Sequence, residues 1–213
     1  MPVTEPYPLA NEWTRNFHSD AVNCGDITDG GAKFTKTKYH GRLSMISEGI
    51  VHTNTTFNAC IRFTEGDVSI ADGIGFVFGQ NLPCTKNIQM INSIFFNKRG
   101  QIAIRRKSEV HRLDRDQLAP LQINRPVVMH VDLINRHVTF YVPDSNGTTR
   151  TSTTVYFDDF WPGVVPSGYI CCVIKNQGVT VEFAGVPGQT SPHAMTNDQA
   201  AQAEASPDST NEC

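Results

Sequence analysis

Seven of the chain's 18 lysines and arginines fall within 18 consecutive positions: Lys98, Arg99, Arg105, Arg106, Lys107, Arg112 and Arg115. If Arg105 and Lys107 share one strand face, with Arg99 nearby, the cluster could receive an acidic peptide, a phosphate or an anionic glycan. Guanidinium groups bind carboxylate and phosphate oxygens through charge-assisted, often paired hydrogen bonds. Glu109, Asp114 and Asp116 are interleaved with the cations, which is also the composition of an ordinary solvated sheet face. No aromatic residue alternates with the cations, so stacking on single-stranded nucleic acid is not expected.

Two further positions carry chemical potential. In Ala71-Asp72-Gly73-Ile74-Gly75-Phe76-Val77-Phe78, an Asp-Gly pair opens onto alternating Ile74, Phe76 and Phe78. This reads as a tight turn delivering the backbone into a buried strand, with Asp72 and Gly73 at its mouth. Trp161 lies in Phe157-Asp158-Asp159-Phe160-Trp161-Pro162. A tryptophan there either stacks on a sugar or anchors a peptide, or plugs the end of the molecule.

Catalysis has little support. There is no Glu-x-Asp-x-x-Glu strand, no Gly-x-Ser-x-Gly elbow, no phosphate-binding loop, and no His-x-His or His-x-x-x-His pair among the seven histidines. No catalytic residue is assigned. The six cysteines, Cys24, Cys60, Cys84, Cys171, Cys172 and Cys213, show neither a CxxC pair nor metal-ligand spacing. Adjacent Cys171 and Cys172 point to opposite faces of a strand and are expected to remain thiols.

The elements that must hold these residues are strands. Phe57, Ala59, Ile61 and Phe63 alternate with polar neighbours, and the same period of two recurs at 102–104, 129–133, 138–142, 155–157 and 179–183. Gly66-Asp67, Lys98-Arg99-Gly100, Asn135-Arg136, Asp144 to Gly147 and Asn176-Gln177-Gly178 punctuate the runs as turns. Hairpins are expected at Asn135-Arg136 and at 176–178. About a dozen short strands suit an all-β antiparallel two-sheet sandwich or jelly roll. Its core is expected to take in Phe57, Ile61, Phe63, Ile74, Phe76, Phe78, Ile94, Ile102, Ile104, Val131, Leu133, Val138, Phe140, Val155, Phe157, Ile174, Val181 and Phe183.

The order of alternating strand, loop, Ala-Asp-Gly and aromatic strand resembles the concanavalin A-like group, above all the L-type lectins. That resemblance implies a jelly roll used for binding, with Asp72 reaching a sugar and a neighbouring loop holding calcium. The strand expected to correspond to the calcium strand, Ile91-Asn92-Ser93-Ile94-Phe95-Phe96-Asn97, has no carboxylate, whereas calcium takes six or more oxygens, several of them charged. No metal and no cofactor are therefore expected. The run Val127 to Val142 is similar to the "apolar strand, Asp, turn, Phe-Tyr" hairpin of SPRY domains, which implies metal-free recognition of proteins through loops. The same hairpin also occurs in laminin-G-like and pentraxin-like sandwiches.

The expected organisation is an extended segment over 1–10, a sandwich domain over 11–187 and a disordered acidic tail over 188–213. The tail is rich in Ser, Thr, Pro, Asn, Gln and Ala and has no Lys or Arg beyond Gly188. A net charge of −3 selects neither nucleic acid nor membrane, and no leader or spanning run is visible, so a cytoplasmic protein is expected. The expected function is non-catalytic binding of a protein, with metal-independent glycan binding as the alternative and a glycoside hydrolase of the same fold behind it. The candidate ligand residues are Asp72, Gly73, Asn97, Arg99, Arg105, Lys107 and Trp161.

Overall fold

The computed structural model describes residues 13–16, 24–38, 40–47, 49–79, 91–106, 109–113, 118–143, 150–163 and 167–184. Lys107, Cys84, Cys213 and the expected segments 1–10 and 188–213 lie outside them. The strands in chain order are β1 (Trp13–Asn16), β2 (Gly25–Thr28), β3 (Lys33–Lys36), β4 (Leu43–Ser47), β5 (Thr56–Glu65), β6 (Gly73–Phe78) and β7 (Ser93–Asn97). Then follow β8 (Ile102–Arg106), β9 (Glu109–Leu113), β10 (Val127–Asp132), β11 (His137–Pro143), β12 (Arg150–Tyr156), β13 (Gly168–Ile174) and β14 (Thr180–Ala184).

They form two seven-stranded antiparallel sheets. The first has the order β1-β4-β13-β6-β7-β8-β9 and the second β12-β11-β10-β5-β14-β3-β2. Inward side chains of both sheets meet in one core, which includes every residue the alternation assigned to it; Phe57, Phe78 and Phe183 sit partly buried at its margin. Phe63, Phe76, Phe96, Phe140 and Phe157 are its largest fully buried apolar side chains, and Phe96 stacks on Phe140 across the sheets at 6.0 Å between ring centroids. No helix among the described residues is long and apolar enough to cross a membrane.

The Asn135-Arg136 hairpin forms as expected, joining β10 to β11 with Asp132 opposite His137. The Asn176-Gly178 turn does not make a hairpin. It carries the chain from β13 in the first sheet to β14 in the second. The physical reason is that β13 already has β4 on one side and β6 on the other, so its hydrogen-bonding edges are filled. The turn arches over the end of the sandwich instead, tied down by Gly178 N–H donating to the Lys36 carbonyl at 2.8 Å. The adjacent cysteines divide as their parity requires: Cys172 enters the main core, and Cys171 joins a second apolar cluster on the other face of the first sheet.

Candidate functional site

The β7–β8 turn presents the exposed end of the basic cluster. Asn97 Oδ1 accepts hydrogen bonds from the backbone N–H groups of Arg99 at 2.9 Å and Gln101 at 3.1 Å. Gly100 closes the turn at φ +83°, and a Cβ there would lie 2.0 Å from the Leu118 carbonyl oxygen, so only glycine fits. The turn thus points Arg99 outward. It borders an open groove of about 540 Å³ lined by Ile70, Asn97, Arg99, Gln101, Val110 and Arg112. Two guanidinium groups and two amides lie there between two exposed aliphatic side chains, Ile70 and Val110, and none of the described lining residues is a carboxylate.

Register extends the cationic surface. Arg112 lies opposite Ala103, and Arg105 opposite Val110, so Arg105 and Arg112 share the outer face of β8 and β9. Burial lowers the pKa of half-buried Arg105, and the positive charges of Arg42 and Arg112 lower it further. Like charges gathered at one face favour an anionic partner.

Asp72 is fully buried and presents no surface to a ligand. Its Oδ2 accepts from Ser69 N–H at 2.7 Å and its Oδ1 from Lys175 N–H at 2.7 Å, while its carbonyl oxygen accepts from Lys98 N–H at 3.0 Å. The peptide bonds around it are trans. Burial pushes its carboxyl pKa up, opposed by the Ser69 and Lys175 hydrogen bonds and by the charges of Lys36 and Lys98. Lys36, equally buried, donates through Nζ to the carbonyl oxygens of Gly41 and Lys175. Asp72 therefore ties the Ser69 loop, which carries Ile70, to Lys98, which precedes Arg99. It anchors the Ser69 loop and the start of the β7–β8 turn from beneath.

Gly73 pairs with Asn97 in the adjacent strand. A Cβ on Gly73 would stand 2.2 Å from the Phe96 carbonyl oxygen and 2.7 Å from the Phe95 ring, so glycine lets the ring lie flat against the sheet. Of the candidate residues, Asn97 and Arg99 meet in the groove, Arg105 lies further along the same face, and Asp72 with Gly73 is buried beneath the turn, outside the groove's lining. Trp161 is at the opposite end of the sandwich, where it packs on Phe78 at 4.5 Å and on Phe160 at 5.8 Å and is only 7 % exposed. The structure gives it the plugging position. Ile70, Gln101, Val110 and Arg112 lay outside the candidate set because a lone aliphatic, amide or solvated cationic side chain has no local signature; the Asp72-anchored loop and the β8–β9 pairing bring them together.

No family model matches the chain, and no characterised protein matches it in sequence. Solved structures do match in fold. The SPRY domain of human HERC1 superposes with a TM-score of 0.55 at 10 % identity, covering 78 % of this chain and 96 % of that domain. The TRIM65 PSpry domain gives 0.51 at 12 % identity, covering 76 % and 85 %. A carbohydrate-binding module, CBM66 from Bacillus subtilis, gives 0.47 at 12 % identity, covering 85 % and 98 %. The fold of this chain is an antiparallel two-sheet sandwich of the jelly-roll kind, similar to that of these SPRY domains.

Proposed function

We propose that this chain is a non-catalytic binding module that captures an acidic protein segment in the groove between the β7–β8 turn and edge strand β9. The observation that carries this reading is the pairing of Arg99 and Arg112 with the Asn97 and Gln101 amides between Ile70 and Val110. The arginines suit carboxylate or phosphate groups, the amides suit a peptide backbone, and the aliphatic pair suits an apolar side chain flanking the acids. β9 is the last strand of its sheet and is exposed along most of its length, so a peptide could also add to its edge.

The test is a pulldown with the full chain beside a glycan array. Partners retained by wild type should be lost with Arg99→Glu and Arg112→Glu, and retention should weaken as salt rises from about 0.05 M to about 0.5 M. Sugar-competable array binding that is indifferent to both substitutions and to salt would replace the protein reading with the glycan one.

A further inference from the structure

The outer face of the second sheet carries a cluster of different chemistry. His130 and Asp132 alternate on β10, and His137 lies opposite Asp132 on β11. Their ligand atoms, two ring nitrogens and a carboxylate oxygen, all lie within 4.8 Å of one another. We propose that His130, Asp132 and His137 bind one divalent transition-metal ion, for which zinc is the reference.

Three features favour a cation over a chance polar patch. His130 Nδ1 stands 2.7 Å from Asn58 Oδ1. An amide oxygen accepts, so Nδ1 carries the proton and Nε2 keeps the lone pair that a metal needs. Asp132 is only 6 % exposed and is held by Asn135, whose backbone N–H and Nδ2 donate to its two oxygens at 2.8 Å each. Ligating carboxylates are commonly steadied by such bonds. The ring of His137 rests between His130 at 6.1 Å and Tyr156 at 5.6 Å between centroids, which orients it over the same patch.

Two imidazoles and one carboxylate suit zinc and its transition-metal neighbours rather than calcium, and three protein ligands leave a position open to water or a partner's side chain. Zinc–nitrogen bonds of about 2.1 Å put tetrahedral ligands about 3.4 Å apart. The half-buried rings can close that gap by side-chain rotation. The site departs from the metal-free expectation of the sequence because its donors come from two paired strands, a His-x-Asp pair and a histidine five residues on.

The experiment is titration of the full chain, stripped with EDTA, with ZnCl₂ by calorimetry and with CoCl₂ by absorption. One ion should bind per chain. Cobalt should show visible d–d bands without the near-ultraviolet charge-transfer band of thiolate ligands. Uptake should vanish in His137→Gln and His130→Ala, and Asn58→Ala should weaken it about tenfold. Far-UV spectra of the variants check folding. If one variant fails to fold, zinc-dependent shifts of the His130 and His137 ring signals in wild type provide the same test. No zinc uptake by folded wild type, uptake unchanged in folded His137→Gln, unshifted ring signals, or a thiolate band would each overturn the assignment.

Discussion

The outer faces of the two sheets differ in kind. On the first, Val77, Phe95, Cys171 and Val173 are buried as a second apolar cluster, against which Ile46, Ile91 and Tyr169 pack. On the second, Asn58, His130, Thr139, Thr154 and Tyr156 form a polar surface, with Thr139 and Thr154 sharing a hydroxyl hydrogen bond at 2.8 Å. Cys60 and Val128 are buried at its margin. A strand covered on both faces needs apolar residues at every position, whereas one covered on a single face needs them at every other. The sequences obey this: Gly-Ile-Gly-Phe-Val-Phe, Ser-Ile-Phe-Phe-Asn and Gly-Tyr-Ile-Cys-Cys-Val-Ile belong to the first sheet, and alternating His-Val-Thr-Phe-Tyr-Val-Pro to the second. The cationic groove opens where the buried outer face of the first sheet ends.

A charge placed on each outer face tests this difference most severely. Val173→Lys puts an ammonium group into the second apolar cluster and should cost about 4 kcal/mol or more, enough to lose most native protein. Thr139→Lys on the second sheet gives up one exposed hydroxyl bond and should cost below about 1 kcal/mol. Urea denaturation compares them; equal losses would erase the distinction.

The next effect falls on Asp72, buried beneath the groove. Asp72→Asn keeps the shape but replaces one acceptor with a donor facing a backbone N–H, and removes the negative charge near Lys36. A loss of about 2–3 kcal/mol is expected at neutral pH. The pH dependence has a definite sign. A carboxyl whose pKa is raised on folding contributes its full stability below its unfolded value, about 3.9, and loses it as pH climbs through the raised folded value. Lys36, Lys98 and Cys172 are the titratable groups coupled to it. Wild type should therefore lose stability relative to Asp72→Asn between pH 4 and pH 7, as read from urea midpoints at both pH values. A relative gain over that interval would mean that the carboxyl pKa is lowered.

A smaller effect concerns the thiols. Burial drives Cys171 and Cys172 well above their ordinary range and pushes Cys60 up to about 11, with Arg62 lowering the last only in part. All three should resist iodoacetamide in native protein near neutral pH and react only on unfolding, as peptide mass mapping would report. Rapid native alkylation of Cys171 would show that the outer face of the first sheet opens readily.

Much of the sandwich was legible because periodicity reports burial directly: each core position assigned from alternation lies in or against the core. The 176–178 turn was misread because a hairpin and a crossover between sheets use the same residues. What separates them is whether the preceding strand has a free edge, which is a property of the whole sheet. The site was legible only in part. Asn97 and Arg99 stand in the groove, yet Asp72 and Trp161 turned inward, since nothing in a local sequence distinguishes a carboxylate that accepts backbone hydrogen bonds from one that reaches solvent. The His130, Asp132 and His137 group was invisible as a motif, because register across the β10–β11 hairpin assembles it.

The groove itself is tested most directly by fluorescence titration of the full chain against an array of acidic peptides carrying one aliphatic residue, run in parallel with Arg99→Glu/Arg112→Glu. Wild type should select a subset of peptides, with affinity falling as salt rises, and the double variant should lose that selection while keeping the wild-type melting temperature. Selection that survives in a folded double variant would place the binding surface elsewhere on the sandwich.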